Sequence, residues 1–145
     1  MTYIEDFLTQ NEEQEIIEAI RRAELKTSGE IRVHIEQKCE TDVLDHAKEV
    51  FHFLKMDNTK LQNGVLFYVA LDNKEFAIYG DKGIHDHVGD RFWTMVKDAV
   101  AIQFQKGNYK QGLIDGINKA GTELAKFFPW IHGDSNELDN SISKG

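Results

Sequence analysis

The chain has almost no cysteine and almost no proline. With Cys39 alone among 145 residues, no intramolecular disulfide and no cysteine-only zinc cage can form. Its neighbours Glu36, Glu40 and Asp42 are acidic and none is a base that would activate a thiol, so Cys39 reads as passive. Long apolar runs are also missing. The longest, "GVLFYVAL" at 64–71, falls far short of the roughly 20 residues that span a bilayer, so no direct membrane insertion is expected. Positive charge is scarce too: 17 Lys and Arg stand against 25 Asp and Glu, a net charge of −8. A surface of that sign argues against a nucleic-acid partner and favours cations, or simply solubility. The opening "MTYIEDFLTQ" lacks a basic segment ahead of an apolar core, so no signal peptide is expected and the chain reads as soluble and cytoplasmic.

What is present suits one domain. A chain of this length buries about two thirds of its unfolded surface without staples. Hydrophobic content of 41% and charged content of 29% are ordinary for a globular protein. The domain is expected over 1–130, followed by a polar tail over 131–145.

Thr9 and Glu12 have capping-box spacing, and Ile16, Ile17, Ile20 and Ala23 share one face of the helix they open. Gly29 is its expected stop. "EIRVHIEQ" alternates, with Ile31, Val33 and Ile35 on one side and Glu30, Arg32, His34 and Glu36 on the other, as in a half-covered strand near a sheet edge. A second helix follows, capped by Thr41, with Leu44, Ala47, Val50, Phe51 and Leu54 turned inward. The continuous run 64–71 suits a central strand, and Asp72-Asn73 a hairpin turn into 74–80. Helices are expected from about Gly89 to Gln105 and from about Tyr109 to Phe128, the second stopped by Pro129 and its Gly112, Gly116 and Gly121 allowing close packing. Phe92, Trp93, Val96, Val100, Ile102 and Phe104 read as core. The order α-β-α-β-β-α-α, with a right-handed strand-helix-strand unit, predicts an α/β fold: a small mixed sheet in a three-layer αβα sandwich.

That topology gathers particular residues. If strands 30–37 and 64–71 are parallel, Glu30 and Asn63 share one rim, and the hairpin returns Gly80 and Asp81 to it. The following helix brings Asp86 and Asp90. Oxygen ligands from separate segments are what Ca²⁺ or Mg²⁺ requires. The same aspartates also suit helix starts and turns with no metal at all. The opposite rim carries Glu36, Glu40, Thr41, Asp42 and Asp72, read as solvated acids. "GDKG" is neither a G-x-G-x-x-G nor a P-loop, and His85 and His87, two apart, are not a zinc pair. His46 and His52 share no helix face and read as surface or boundary residues.

Three stretches, "TSGEIRVHIE", "TKLQNGVLFYVALDNKEFAIYGDKGIHDHVGDRFW" and "FQKGNYKQGLIDGI", together resemble the TPM domain, in particular its small bacterial domain-only members. The family is named for thylakoid-lumen, photosystem-repair and receptor-modulator proteins. The resemblance implies a Rossmann-like αβα sandwich and a divalent cation, and for some members an acid-phosphatase activity. Position by position it points to Glu30 in "SGEI", Asn63 in "NG" and Asp81 in "GDKGI", with Asp86 and Asp90 as the acidic positions that follow. Gln62 stands where many members carry a charge before "NG". Three functions follow as expectations: a cation-binding domain holding Ca²⁺ or Mg²⁺ on these five residues; a metal-assisted phosphomonoester hydrolase with Asp81 foremost; or a protein-interaction module in membrane-protein assembly or repair, its protein partner unidentified.

Overall fold

Thr9 caps the first helix as its spacing to Glu12 predicts. Thr9 Oγ1 accepts from the Glu12 amide at 3.1 Å, and Glu12 Oε1 accepts from the Thr9 amide at 2.9 Å. The computed structural model describes residues 4–130 and 140–145. Helix α1 spans Gln10–Glu24 and strand β1 Glu30–Glu36. Helix α2 spans Val43–Phe53, capped by Asp42 rather than Thr41, because the Asp42 carboxylate accepts from both Leu44 and Asp45 amides at 3.1 Å. Strands β2 (Gly64–Ala70) and β3 (Glu75–Gly80) form the hairpin. A one-turn helix, α3 (Lys82–His85), precedes α4 (Asp90–Gln105) and α5 (Tyr109–Leu124). Helix α5 stops short of Phe128, and Phe128 and Trp130 instead bond back to residues 26–28.

The sheet order is β3-β2-β1-β4, where β4 is the two-residue Ser143–Lys144. Strands β1 and β2 are parallel, with Glu30 opposite Gly64, and β2 and β3 are antiparallel, with Val65 opposite Gly80. All seven residues of β2 are buried, as expected of a strand covered on both faces. Helices α1, α4 and α5 pack on one face over Ile31, Val33, Ile35, Val65 and Phe67. Helix α2 covers the other, over Leu66, Tyr68 and Ala77. The result is the three-layer αβα sandwich.

Two details correct the sequence reading. The polar face of β1 is more covered than a half-covered strand implies, since Glu30 and His34 are buried; the strand does lie near the sheet edge, with the two-residue β4 pairing along its outer side at His34 and Ile35. Leu44 and Ile102 are exposed, at 50% and 54%, rather than inward. The glycines of α5 act as expected. A Cβ on Gly116 would lie 2.5 Å from Val100 Cγ2, and one on Gly121 2.8 Å from Ala23 Cβ. Of the expected tail, residues 131–139 lie outside the described residues, and Ser143–Lys144 add to the sheet in parallel with His34 and Ile35.

Candidate functional site

The start of β2 is the centre of the candidate rim. The Glu30 amide donates to the Asn63 carbonyl at 3.2 Å on one side, and the Asp81 amide donates to the Gly64 carbonyl at 2.9 Å on the other. Three of the five expected residues are buried there: Glu30 at 3% exposure, Asn63 at 1% and Asp81 at 8%. Asp86 and Asp90 are exposed, the first as the C-cap of α3 and the second as the first residue of α4. A short helix intervenes because Asp81 Oδ1 accepts from the Lys82 amide at 2.8 Å and so starts a turn at once.

The chemistry of this rim is unusual in what it leaves unmatched. Asp81 Oδ2 and Asn63 Nδ2 are buried with no hydrogen-bond partner among the described residues. A half-turn of the Asn63 amide would put its Oδ1 where Nδ2 stands. Neutral oxygens are close by: a Cβ on Gly83 would meet the Leu61 carbonyl oxygen at 2.3 Å and that of Gln62 at 2.5 Å. Gln62 itself holds a left-handed φ of 50°. Burial, with the Asp81 charge beside it, pushes the Tyr79 hydroxyl above its ordinary range. On the far side of β2, Glu24 Oε2 accepts from the Ile31 amide at 3.2 Å, and burial together with the Glu30 carboxylate pushes Glu24 up to about 9. Among the described residues, no three His, Cys, Asp or Glu side chains are gathered closely enough to enclose a metal ion by themselves.

The opposite rim carries a polar cluster where the sequence suggests solvated acids and a surface or boundary histidine. Glu36 accepts from the Tyr68 hydroxyl at 2.5 Å, from His34 Nε2 at 3.1 Å and from His46 Nε2 at 3.0 Å. Since His34 Nε2 donates to Glu36, its Nδ1 accepts from the Ser143 hydroxyl, at 2.9 Å. His46 also gives Nδ1 to Glu49 at 3.3 Å, so both of its ring nitrogens face carboxylates. Burial opposes charge on His46, but Glu49 and Glu36 outweigh it and raise its pKa. Burial prevails at His34 and lowers it. Burial also works against the Glu36 charge, yet donors from Tyr68, His34 and His46 hold the carboxyl below its usual range. The parallel register was the available signal, since it sets His34 directly beside Tyr68. Among the described residues, the other histidines make local contacts: His52 with Asp57 at 3.0 Å, His85 with the Gly80 carbonyl at 3.1 Å, and His87 against Phe127 and Phe128.

The family model described as the TPM domain, named TPM_phosphatase, matches residues 2–123. The chain belongs to the TPM domain family. A solved relative, the BA42 protein from the psychrophilic bacterium Bizionia argentinensis, is 62% identical, with a TM-score of 0.94 over 100% of both chains. At 20% identity, the N-terminal domain of a protein from P. gingivalis shares the fold, with a TM-score of 0.68 over 84% of this chain and 79% of that one. The N-terminal domain of the cg2496 protein from Corynebacterium glutamicum does so at 11% identity, with a TM-score of 0.66 over 95% and 81%. No curated protein matches. No helix of this TPM domain, among the described residues, is long and apolar enough to cross a membrane.

Proposed function

We propose that this TPM domain binds a hard divalent cation, Ca²⁺ or Mg²⁺, at the rim formed by Asp81, Asn63 and Glu30. The observation that carries the reading is Asp81 Oδ2, a buried carboxylate oxygen with no donor among the described residues. A buried carboxylate oxygen without a partner is costly, and a cation removes that cost. Asn63 would add a neutral oxygen, and the Leu61 and Gln62 carbonyls are of the kind that calcium accepts. Asp86 and Asp90, exposed on neighbouring turns, would attract the ion from solvent rather than enclose it. With so few carboxylates and water completing the shell, affinity is expected near that of weak calcium modules, about 10⁻⁴ to 10⁻³ M.

The test is a CaCl₂ and MgCl₂ titration followed amide by amide. Saturable shifts confined to residues 61–64 and 80–84, lost in Asp81→Asn, support the site. Shifts scattered over every acidic patch, or unchanged in the variant, overturn it. A phosphomonoester hydrolase at the same rim is the second reading, favoured by His85, which lies on α3 with Nε2 against the Gly80 carbonyl next to Asp81. It requires cation-dependent turnover of a chromogenic phosphate that disappears in Asp81→Asn.

A further inference from the structure

The outer edge of β3 is open, and its hydrogen-bonding pattern can be read from one contact. The Asp81 amide bonds to the Gly64 carbonyl at 2.9 Å, making that a hydrogen-bonded pair of the antiparallel ladder. The alternation then turns the main-chain groups of Glu75, Ala77 and Tyr79 toward β2, and those of Phe76, Ile78 and Gly80 away from it. The Gly80 carbonyl meets His85 Nε2, which closes the edge at the rim end. The amides and carbonyls of Phe76 and Ile78 have no main-chain partner among the described residues. Beside them lies a groove of about 460 Å³, within the size range of natural ligand pockets. Val43 and Leu44 of α2 form one wall, and Trp93 and Lys97 of α4 the other.

We propose that this groove takes an extended, mainly apolar peptide carrying one acidic side chain, which adds to β3 as a further strand. The free groups of Phe76 and Ile78 supply main-chain recognition, and the two walls receive alternate side chains. Glu75 and Lys97 both line the groove, and Lys97, which makes no ion pair among the described residues, is the one that complements an acidic residue of the peptide. A second copy of the chain is a poorer occupant. Each copy would bring its own α2 and α4 walls to the same edge, and each carries a net charge of −8. A lone strand brings no helix walls of its own and far less negative charge than a second copy.

The experiment pans a random heptapeptide phage library against the full chain, then titrates the most enriched sequence, as a synthetic peptide, into isotope-labelled protein. Support consists of apolar, acid-bearing sequences that shift the Phe76 and Ile78 amides. Ile78→Pro removes the outward donor together with a side chain that packs on the core and lines the groove, so it is read against Ile78→Ala, which loses the side chain alone, and should bind at least about tenfold more weakly than that variant. If the proline variant does not fold, Lys97→Glu, an exposed change, decides by weakening the acidic peptide to a similar degree. No enrichment, peptides that map away from β3, variants that bind undiminished, or sedimentation showing a dimer that buries the β3 edge would each overturn the proposal.

Discussion

The Tyr68 hydroxyl lies 2.5 Å from Glu36 Oε2, joining the central strand to its parallel neighbour beneath α2. Two histidines donate to the same carboxylate, so three donors hold one half-buried charge. Tyr68→Phe removes the shortest of these bonds while keeping the ring's packing. The expected loss is about 1.5–3 kcal/mol, the range for a hydrogen bond to a charged group. Urea denaturation at pH 7 measures it, and Glu36→Gln should cost a comparable amount.

Stability should fall as solutions become alkaline, and Glu24 sets the sign. Its folded pKa is raised to about 9, so the folded chain binds a proton that the unfolded chain releases above its ordinary carboxyl range. Stability from that proton is complete at low pH and is lost as pH rises toward about 9. Glu36 acts oppositely: its lowered pKa contributes stability above the ordinary carboxyl range, lost as pH falls through the folded value. His34, lowered, contributes above its ordinary value, and His46, raised, contributes below it, so the two histidines oppose each other near neutrality. The optimum is expected near pH 5, at about the crossover between the two glutamates. Denaturation from pH 4 to 9 in chelator-treated buffer checks this, and Glu24→Gln should flatten the alkaline limb.

Asp81→Asn should separate cation binding from folding. The asparagine keeps an oxygen for the Lys82 amide, so without divalent ions the variant should match or exceed the parent's stability. With the cation at about ten times its dissociation constant, the parent should gain roughly 1.4 kcal/mol, or about 4 °C in Tm, and the variant nothing. Thermal melts with and without CaCl₂ make the comparison.

Gly121→Ala should destabilise although alanine is the better helix former. Its methyl would lie 2.8 Å from Ala23 Cβ and 3.3 Å from Ala23 Cα, forcing α1 and α5 apart. Overpacking of about 1–3 kcal/mol outweighs the roughly 1 kcal/mol of helix propensity gained. Gly89→Ser is the contrasting case. Nothing lies within 4 Å of a Cβ there, and the N-cap makes no side-chain bond, so serine should stabilise by a few tenths of a kcal/mol.

Local rules carried the sequence reading a long way. The Thr9 capping box, the all-apolar β2 and the hairpin after Leu71 each follow from a few adjacent residues, and together they place Glu30, Asn63 and Asp81 on one rim. The Glu36 cluster was illegible for the converse reason: its members come from β1, α2, β2 and β4, and each alone looks like a surface polar group. The two-residue β4 has no periodicity to read, yet it pairs along the outer side of β1. The one-turn α3 was missed because "DKGIH" is short and holds a glycine, and it is the Asp81 carboxylate that starts it.

Trp93 rests on Gly80 so closely that a Cβ there would come within 2.2 Å of the indole. The empty space on one α-carbon is therefore shared property of two neighbourhoods. On one side the indole walls the β3 groove, and on the other the backbone passes directly into Asp81. Any side chain at position 80 would displace the tryptophan, one residue before the aspartate. A strand seated in the groove and an ion held at the rim would lean on opposite sides of the same bare stretch of backbone.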